Sequence, residues 1–362
     1  MNSFALFRYP YEQQCTLVEQ TDGAPLVVPS LAALSGHEGF VVAPFEVADQ
    51  QPIVLIRPDR ISVLGQNELR FVANRLPFCA KSPSVLGQNG NRFVAKRSDY
   101  SIDFANFHAQ LKAGAFSKIV LARCADEDCN ADITPVDMFE VACKSYPRLF
   151  IALVYTPQSG LWLTATPEVL LEGEGREWHT MALAGTMKLN EEQLAEDVPQ
   201  VDWSIKNIEE QRIVATYIME TLEHFSSNIN EEGPRTARAA NLVHLRSDFT
   251  FTLEQNTRIG ELLQALHPTP AVCGLPKRSA FEFILHNEHT PRRYYSGFMG
   301  PLFPQSGATH LYVSLRCMQI EGLHCRLYAG GGLLKGSTEE QEWQETEAKL
   351  ETMRRCIAAK KM

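Results

Sequence analysis

The sequence predicts an α+β fold in which antiparallel strands dominate, and three observations support this prediction. From about residue 148 onward, short apolar runs are separated by tight turns, as in LFIALVY, PQSG and LWLTA. A long amphipathic segment, VDWSIKNIEEQRIVATYIMETLEHF, predicts a helix, as does a C-terminal segment that opens with the capping-box pattern of Ser337 and Glu340. Strands joined by tight turns pair antiparallel. Because strands and long helices mix without a βα alternation, residues 100–358 belong to the α+β class.

The first part of the chain, residues 1–99, contains short strand-like runs such as APLVVPS and QPIVLIRP, which indicate scaffold. Within it, SVLGQNELRFVANR (62–75) recurs as SVLGQNGNRFVAKR (84–97). Two copies are too few for a solenoid, so we interpret them as a local duplication that forms two similar turn-strand units. The alternative is a pair of ligand-binding loops, although Gln-Asn-Gly turns are common connectors.

Composition excludes several classes of protein. The chain has 362 residues, 44% of them hydrophobic and 21% charged, as expected for an ordinary globular protein. Its net charge of -9 disfavours binding to nucleic acid or to an anionic membrane. The N-terminus MNSFALFRYPYEQQC has no basic or apolar leader pattern, and the nine cysteines form no CxxC pair, so a cytoplasmic protein with reduced thiols is expected. We expect a monomer.

A lysine begins the apolar run FSKIVLAR (116–123), which is typical of a buried strand. Side chains alternate along a strand, so Lys118 should point the same way as Val120 and Ala122, toward the interior or a cleft. Lysine is almost never fully buried without a partner or a task. One interpretation is a strand-end side chain that reaches water, and the other is a functional amine.

Carboxylates occupy positions where apolar residues are expected on two predicted helices. In the last helix Glu342, Glu345 and Lys349 share a face with apolar residues, and in helix 203–225 Glu210 precedes an inward apolar stripe. A simple Glu345–Lys349 pair at i, i+4 would explain part of this pattern. Acidic side chains from two helices that point inward also suit Mg²⁺, which binds few carboxylates and keeps positions open for substrate oxygens.

Glycines and cations near these helices predict a site for an acidic ligand. The run YAGGGL places Gly330 and Gly331 after a strand, where bare backbone lets a ligand approach, although a bulge or turn is the alternative. Arg316 in the preceding strand segment and Lys349 in the last helix would complete a carboxylate site. LAGT (183–186) supplies a second small-residue turn, and LHPTPAVCGLP holds His267 in a rigid loop that would orient a substrate or serve a purely structural purpose.

These motifs resemble those of the chorismate-utilising enzymes, which include isochorismate synthases, salicylate synthases, anthranilate synthase large subunits and aminodeoxychorismate synthases. The resemblance covers residues 100–358 and rests on SKIVLAR, ATPEVLL, LAGT, KNIEEQ, LHPTPAVCGLP, YYSGFMG, SLR, YAGGGL and EWQETEAK in that order. Residues 1–99 match only loosely. The family implies a single sandwich of two large antiparallel sheets with helices outside and the active site in a deep cleft.

The resemblance also implies residue roles. Glu210 and Glu345 match the magnesium ligands and Glu342 a supporting acid, whereas Glu168 matches the general acid and Lys118 the general base. His267 matches a catalytic histidine near the ring. The remaining site positions match contacts to the substrate: Gly185, Thr186, Arg316, Gly330, Gly331, Lys349. Tyr328 departs from the polar residue often found before these glycines in anthranilate synthases.

The nucleophile is indicated by two positions. Ammonia-using anthranilate synthases carry glutamine where this chain has Lys118, and aminodeoxychorismate synthases place a nucleophilic lysine where it has Ala184. The resemblance therefore implies a Mg²⁺-dependent isochorismate synthase that adds water to chorismate for menaquinone or siderophore synthesis. The alternatives are a salicylate synthase, an anthranilate synthase large subunit and a non-catalytic chorismate-binding paralogue.

Overall fold

The computed structural model describes residues 3–65, 68–69, 72, 96–189, 201–239, 242–254, 258–303 and 305–358. Most of the 62–75 and 84–97 repeat lies outside these residues. Within them, six α-helices follow in order: α1 (Arg97–Lys112), α2 (Pro135–Ser145), α3 (Ile205–Leu222), α4 (Ile259–Leu266), α5 (Lys277–Asn287) and α6 (Glu339–Ala358). None of the helices in these ranges is long and apolar enough to cross a membrane.

The strands form two sheets in which every described pairing is antiparallel. The first sheet has the order β14-β7-β18-β17-β9-β8-β1-β2-β6. Its strands are β1 (Ser3–Arg8), β2 (Cys15–Gln20), β6 (Arg60–Leu64), β7 (Lys118–Asp128), β8 (Phe150–Thr156), β9 (Gly160–Thr166), β14 (Gly274–Leu275), β17 (Cys317–Glu321) and β18 (His324–Leu333).

The second sheet has the order β12-β13-β11-β10-β16-β15-β4-β5-β3. Its strands are β3 (Leu26–Val28), β4 (Gly39–Ala43), β5 (Ile53–Ile56), β10 (Val169–Glu174), β11 (Glu177–Lys188), β12 (Ile229–Ala239), β13 (Leu242–Thr252), β15 (Phe298–Leu302) and β16 (Thr309–Val313). The predicted α+β fold, with two large antiparallel sheets and outer helices, is confirmed. Strands from residues 1–99 extend both sheets, so this part of the chain is built into the sandwich.

The core consists of layers that follow from the alternation of side chains in the strands. Aromatic residues from both sheets meet between them, where Phe150 stacks on Tyr312 with a centroid distance of 4.1 Å. Each such side chain contributes about 1.5–3 kcal/mol when it is fully buried. Helices α2 and α6 cover the outer face of the first sheet, and α3 and α4 cover that of the second. A smaller cluster joins α1 and α5 to β7 through Ile119 and Leu121.

Two local predictions were wrong. Helix α6 begins at Glu339, and the hydroxyl of Ser337 accepts a hydrogen bond from the backbone N–H of Leu334 at 3.0 Å, so it does not cap the helix in the predicted capping box. The cysteines are also not all reduced thiols, because a disulfide joins Cys129 to Cys325, and six other described cysteines are free.

Candidate active site

A cavity is lined by residues near the start of β7 and by strands β11, β13 and β18, which belong to both sheets. Seven of the predicted site residues line it: Glu168, Gly185, Thr186, Glu210, Arg316, Gly330, Lys349. The fold therefore brings together predicted residues that lie as far apart in the chain as Glu168 and Lys349. The other five predicted residues lie around this cavity or away from it, as described below.

Lys118 is completely buried at the start of β7, and its Nζ lies 2.9 Å from Oε1 of Glu210 on α3. The predicted direction of its side chain is confirmed, because a Cβ built on the inward-facing Gly332 would lie 2.9 Å from Cε of Lys118. That same Cβ would lie only 2.1 Å from Oε1 of Glu210, so β18 needs glycine here to make room for the ion pair. Glu210 separates Lys118 from the cavity, which Lys118 itself does not line.

Glu168 follows β9 in the connection to β10, and its side chain is buried at the cavity. Burial raises the pKa of Glu168 to about 8, although the positive charges of Lys118, Lys349 and Arg316 oppose this rise. The carboxyl group therefore holds its proton at neutral pH. For Glu210 burial also favours the neutral form, but the Lys118 ammonium outweighs it and lowers the pKa of Glu210. The two acids of this site thus differ in protonation state, with Glu168 neutral and Glu210 ionised.

The cations predicted to bind carboxylates are in place. Arg316 is buried just before β17 in a left-handed backbone conformation with φ of 45°, and burial lowers the pKa of its guanidinium to about 10. Lys349 on α6 donates to the backbone oxygen of Gly330 at 2.8 Å and to Glu345 at 2.7 Å. The Glu345–Lys349 pair at i, i+4 is therefore present, and Lys349 also faces the cavity.

The small residues of LAGT form a bulge in β11, where the register against β13 shifts between Ala184 and Thr186. Gly185 has φ of 69°, and a Cβ at this position would lie 3.1 Å from Cβ of Asn207 on α3. A larger residue would be strained and would push α3 away from the sheet. The bulge thus lets α3 bring Glu210 close to the cavity.

Gly331 does not line the cavity. A Cβ on Gly331 would lie 3.0 Å from Oε2 of Glu342 and 3.9 Å from Oε1 of Glu345, so this glycine faces the carboxylates of α6. Neighbouring residues in a strand point to opposite faces, and Gly330 and Gly332 take the inward one. Gly331 therefore provides space for the predicted metal ligands and is not placed against the cavity.

Each of the three carboxylates predicted to bind metal is paired with a lysine. Glu210 pairs with Lys118 and Glu345 with Lys349, and Glu342 pairs with Lys206. In the described ranges no group of three or more His, Cys, Asp or Glu side chains is arranged to hold a metal ion.

Glu342 nevertheless has a free oxygen. Its Oε2 is buried and has no hydrogen-bond partner among the residues that the structure describes, and burial together with the nearby Glu345 raises the pKa of Glu342. Several carboxylates with an unpartnered oxygen are the donors that Mg²⁺ prefers, so the residue types fit the ion. The lysine pairs would have to open for all three to bind it.

His267 was predicted to lie near the substrate ring, and the structure does not bring it to the cavity. Its Nε2 lies 3.1 Å from the backbone oxygen of Pro44, and its ring packs edge-on against Phe298. Burial, helped by the Lys277 cation, lowers the pKa of His267 to about 3. A buried, neutral imidazole with a backbone partner suits the structural interpretation, and the catalytic role of His267 stays a prediction.

The histidine of the cavity is His244 on β13, which sequence reasoning missed. Its Nδ1 donates to the backbone oxygen of Gly185 at 3.0 Å, and its Nε2 accepts from Arg316 at 2.6 Å. Burial, with Arg316 and Lys349 nearby, lowers the pKa of His244 well below its usual value, consistent with this neutral tautomer. The available signal was the alternation of His244, Arg246 and Asp248, which places polar side chains on one face of a strand.

Comparison with known proteins identifies a family for the chain. The profile of the family described as "Chorismate binding enzyme" matches residues 60–358. The chain is 31% identical to "Isochorismate synthase MenF" of Escherichia coli over 67% of its own length and 56% of that protein. It is 31% identical to "Isochorismate synthase DhbC" of Bacillus subtilis over 72% of its own length and 67% of that protein. The match to MenF thus spans little more than half of that relative.

Solved structures agree on the fold. A putative 2,3-dihydroxybenzoate-specific isochorismate synthase from Bacillus anthracis superposes with a TM-score of 0.77 at 21% identity, covering 98% of this chain and 96% of that one. Anthranilate synthase component I from Streptococcus pneumoniae gives a TM-score of 0.67 at 17% identity, covering 97% and 89%. Since the family profile extends over most of the sequence and over every residue of the cavity, the chain belongs to the chorismate-binding enzyme family.

Proposed function

We propose that this chain is a Mg²⁺-dependent isochorismate synthase, which adds water to C2 of chorismate as the C4 hydroxyl leaves. The observation that carries the proposal is a buried acid that is protonated at neutral pH, Glu168, in a cavity that also contains Arg316 and Lys349, with Lys118 directly behind its wall. Relatives over much of the chain bear the name isochorismate synthase, which supports the same reaction.

Glu168 acts as the general acid in this proposal. Hydroxide is a poor leaving group, so the C4–O bond breaks more easily when a proton is delivered to that oxygen. A positioned general acid is typically worth about 10²- to 10⁴-fold in rate. Because burial raises its pKa to about 8, Glu168 carries this proton at neutral pH.

Lys118 acts as the general base. As the oxygen of water bonds to C2, the proton lost by water passes to Nζ, and the proton of Glu168 leaves with the C4 hydroxyl as water. Atoms balance, since one water enters and one leaves. Nζ accepts this proton only as a neutral amine, so the Lys118 ammonium first gives its proton to solvent. The 2.9 Å pair with Glu210 also has to open, because Glu210 and not Lys118 lines the cavity.

The substrate's carboxylates are bound by the cations and the exposed backbone of the cavity. The guanidinium of Arg316 offers donors in a fixed plane, and His244 fixes its orientation by accepting one N–H. Lys349 is held by Gly330 and Glu345, so its ammonium is ordered before substrate arrives. Preordered cations bind an anion at a lower entropic cost than flexible surface lysines.

Glu345, Glu342 and Glu210 would hold Mg²⁺, with Gly331 and Gly332 leaving space beside them. When bound, the ion would bind a substrate oxygen and neutralise its charge. The chain's own contribution is to supply three carboxylates from two helices, α3 and α6, that are fixed against β18.

Changing Glu345 to glutamine tests the metal site. We expect Mg²⁺ binding to weaken at least tenfold, since a charged ligand is replaced by a neutral amide. Isothermal titration with MgCl₂ and the Mg²⁺-dependent shift of the melting temperature both measure this without turnover. Glu340→Gln is the matched control, because Glu340 lies in the first turn of the same helix and is exposed to solvent. Equal Mg²⁺ affinity in both variants would remove Glu345 from the metal site.

Incubation of the purified chain with chorismate and Mg²⁺ tests the reaction itself. The expected product is isochorismate, detected by chromatography, without salicylate fluorescence. Salicylate would indicate that pyruvate is also eliminated, anthranilate with added ammonium would indicate the amine-using reaction, and tight binding without turnover would indicate a non-catalytic paralogue. We further propose that the protein is a cytoplasmic monomer serving menaquinone or siderophore synthesis, which neighbouring genes and size-exclusion chromatography would test.

A further inference from the structure

The edge of the first sheet is incomplete beside the catalytic lysine. Strand β14 has two residues and pairs only with Lys118 and Ile119 of β7. One more backbone bond continues this edge, from the N–H of Val120 to the oxygen of Cys273 at 2.7 Å. Beyond that point the edge of β7 has no strand partner in the described part of the chain, although its backbone groups are buried and need partners.

Two charged side chains continue the edge where β14 stops. Glu288, directly after α5, accepts a hydrogen bond from the N–H of Ala122 through Oε2 at 2.8 Å. Arg292 donates to the backbone oxygen of Val120 at 2.8 Å. The pair therefore takes the place of a neighbouring strand, supplying an acceptor and a donor to alternate backbone groups of β7.

Glu288 and Arg292 are also bound to each other. Nε and Nη2 of Arg292 donate to the two carboxylate oxygens at 2.6 and 2.7 Å, and the side chains are 3% and 2% exposed for Arg292 and Glu288. The guanidinium lies 4.3 Å from the ring centroid of Phe45. This bidentate, fully buried arrangement fixes the orientation of both side chains.

Arg292 joins three segments of one wall of the cavity. In addition to Val120 on β7, it donates to the backbone oxygen of Val272 at 2.7 Å. Its own backbone oxygen accepts the N–H of Tyr295 at 2.9 Å. Val120, Val272 and Tyr295 all line the cavity, so one side chain and its backbone connect three separate parts of its lining.

We propose that Glu288 and Arg292 are positioning residues for the reaction: they hold the edge of β7, and through it Lys118, against the cavity wall formed by Val272 and Tyr295. This inference rests on the proposed function in one respect, because Lys118 has to be the base for its position to set the rate. The backbone contacts themselves do not depend on any activity.

The attraction between the two charges does not by itself account for this pair. Buried ion pairs are often replaced by apolar residues without loss of stability, because desolvation of the charges offsets their attraction. An apolar pair would, however, leave the oxygen of Val120 and the N–H of Ala122 without partners at the place where β7 carries Lys118. The role that only Glu288 and Arg292 fill is therefore to fix the backbone of β7.

Two substitutions at Arg292 separate position from folding. Arg292→Met removes all four side-chain hydrogen bonds, and Arg292→Lys keeps the charge beside Glu288 but loses the planar fork that reaches two carbonyls at once. Displacement of a catalytic group by about 1 Å can cost 10²-fold in rate. We expect kcat to fall about 100-fold in the methionine variant and about tenfold in the lysine variant, with KM changed less than threefold.

Backbone amide hydrogen exchange is the second readout, and it needs no activity. Exchange should accelerate in the peptide that covers residues 118–124 in both variants, with the rest of the first sheet unchanged. Arg326→Met is the matched control, since Arg326 pairs with Asp126 at the far end of the same strand, with Nε 2.8 Å from Oδ1. This control should leave both kcat and exchange at 118–124 as in the unchanged chain.

The outcomes are distinct. Unchanged exchange at 118–124 overturns the proposal whatever the activity, and so does faster exchange with normal kcat. Exchange that rises equally throughout the protein also overturns it, because the pair would then serve general stability. If the unchanged chain forms no isochorismate, the proposed function fails. Hydrogen exchange at 118–124 then still decides whether the pair holds β7, and calorimetry with chorismate shows whether the cavity binds it.

Discussion

Replacing Lys118 with glutamine is expected to reduce isochorismate formation by about 10³-fold, within the range for loss of a general base. Glutamine has nearly the same length but cannot accept the proton of the attacking water. The loss should appear in kcat, because Lys118 lies behind Glu210 and does not line the cavity proposed to bind chorismate. The measurement is steady-state turnover of chorismate at saturating Mg²⁺. Near-normal kcat would contradict the assignment of the base.

Folding of this variant has to be measured separately. Removing one partner of a buried ion pair costs about 3–5 kcal/mol, and Glu210 would remain with 12% of its side chain exposed. The variant with both Lys118→Gln and Glu210→Gln should recover the melting temperature but not the activity. Lys144→Gln is the control, because Lys144 pairs with Glu140 on the surface of α2, and it should retain full turnover.

The second large effect is expected for Glu168→Gln. The amide keeps the shape of the protonated acid but has no proton to deliver to the leaving oxygen, so kcat should fall by about 10²- to 10⁴-fold. The native carboxyl is already neutral at pH 7, because its pKa is raised to about 8. The substitution therefore does not remove a charge from the folded protein, but it does remove the carboxylate that the unfolded chain carries at pH 7, so the melting temperature at pH 7 should rise.

The pH dependence provides an independent check on Glu168. Turnover by the unchanged chain should fall as pH rises through about 8, where Glu168 loses its proton, and the residual turnover of Glu168→Gln should lack this decline. Since the pKa in the folded state lies above the usual value of 4.5, the stabilising contribution of the proton is complete below pH 4.5 and is lost as pH rises to about 8. The unfolding free energy of the unchanged chain should fall across that window relative to Glu168→Gln. Equal slopes would contradict the raised pKa.

Local patterns predicted much of the structure. The direction of Lys118 followed from strand alternation, the pairing of Glu345 with Lys349 from helical spacing, and the antiparallel sheets from short turns between apolar runs. These features depend on neighbours in the chain, and neighbours are visible in a sequence.

Contacts between distant segments were not predictable in this way. Nothing near His267 shows that Pro44 will accept its hydrogen bond, and nothing near His244 shows that Arg316 will lie beside it. Most site roles came from the resemblance to a family, which carries information on distant contacts. Those roles stay predictions, and of their residues His267 lies away from the cavity. Two ion pairs were likewise missed, Lys118 with Glu210 and Lys206 with Glu342. Each of them joins two elements that are far apart in sequence.

Strands from the first 99 residues form the outer part of both sheets, and this limits how the protein can be shortened. Strand β1 covers the edge of β8, and β4 covers that of β15. A fragment that began at residue 100 would leave two fully buried apolar strands with open hydrogen-bonding edges. Such edges pair with other chains and lead to aggregation. Cutting at the predicted boundary near residue 99 would therefore not release an independently soluble catalytic unit, and the family profile itself already begins at residue 60.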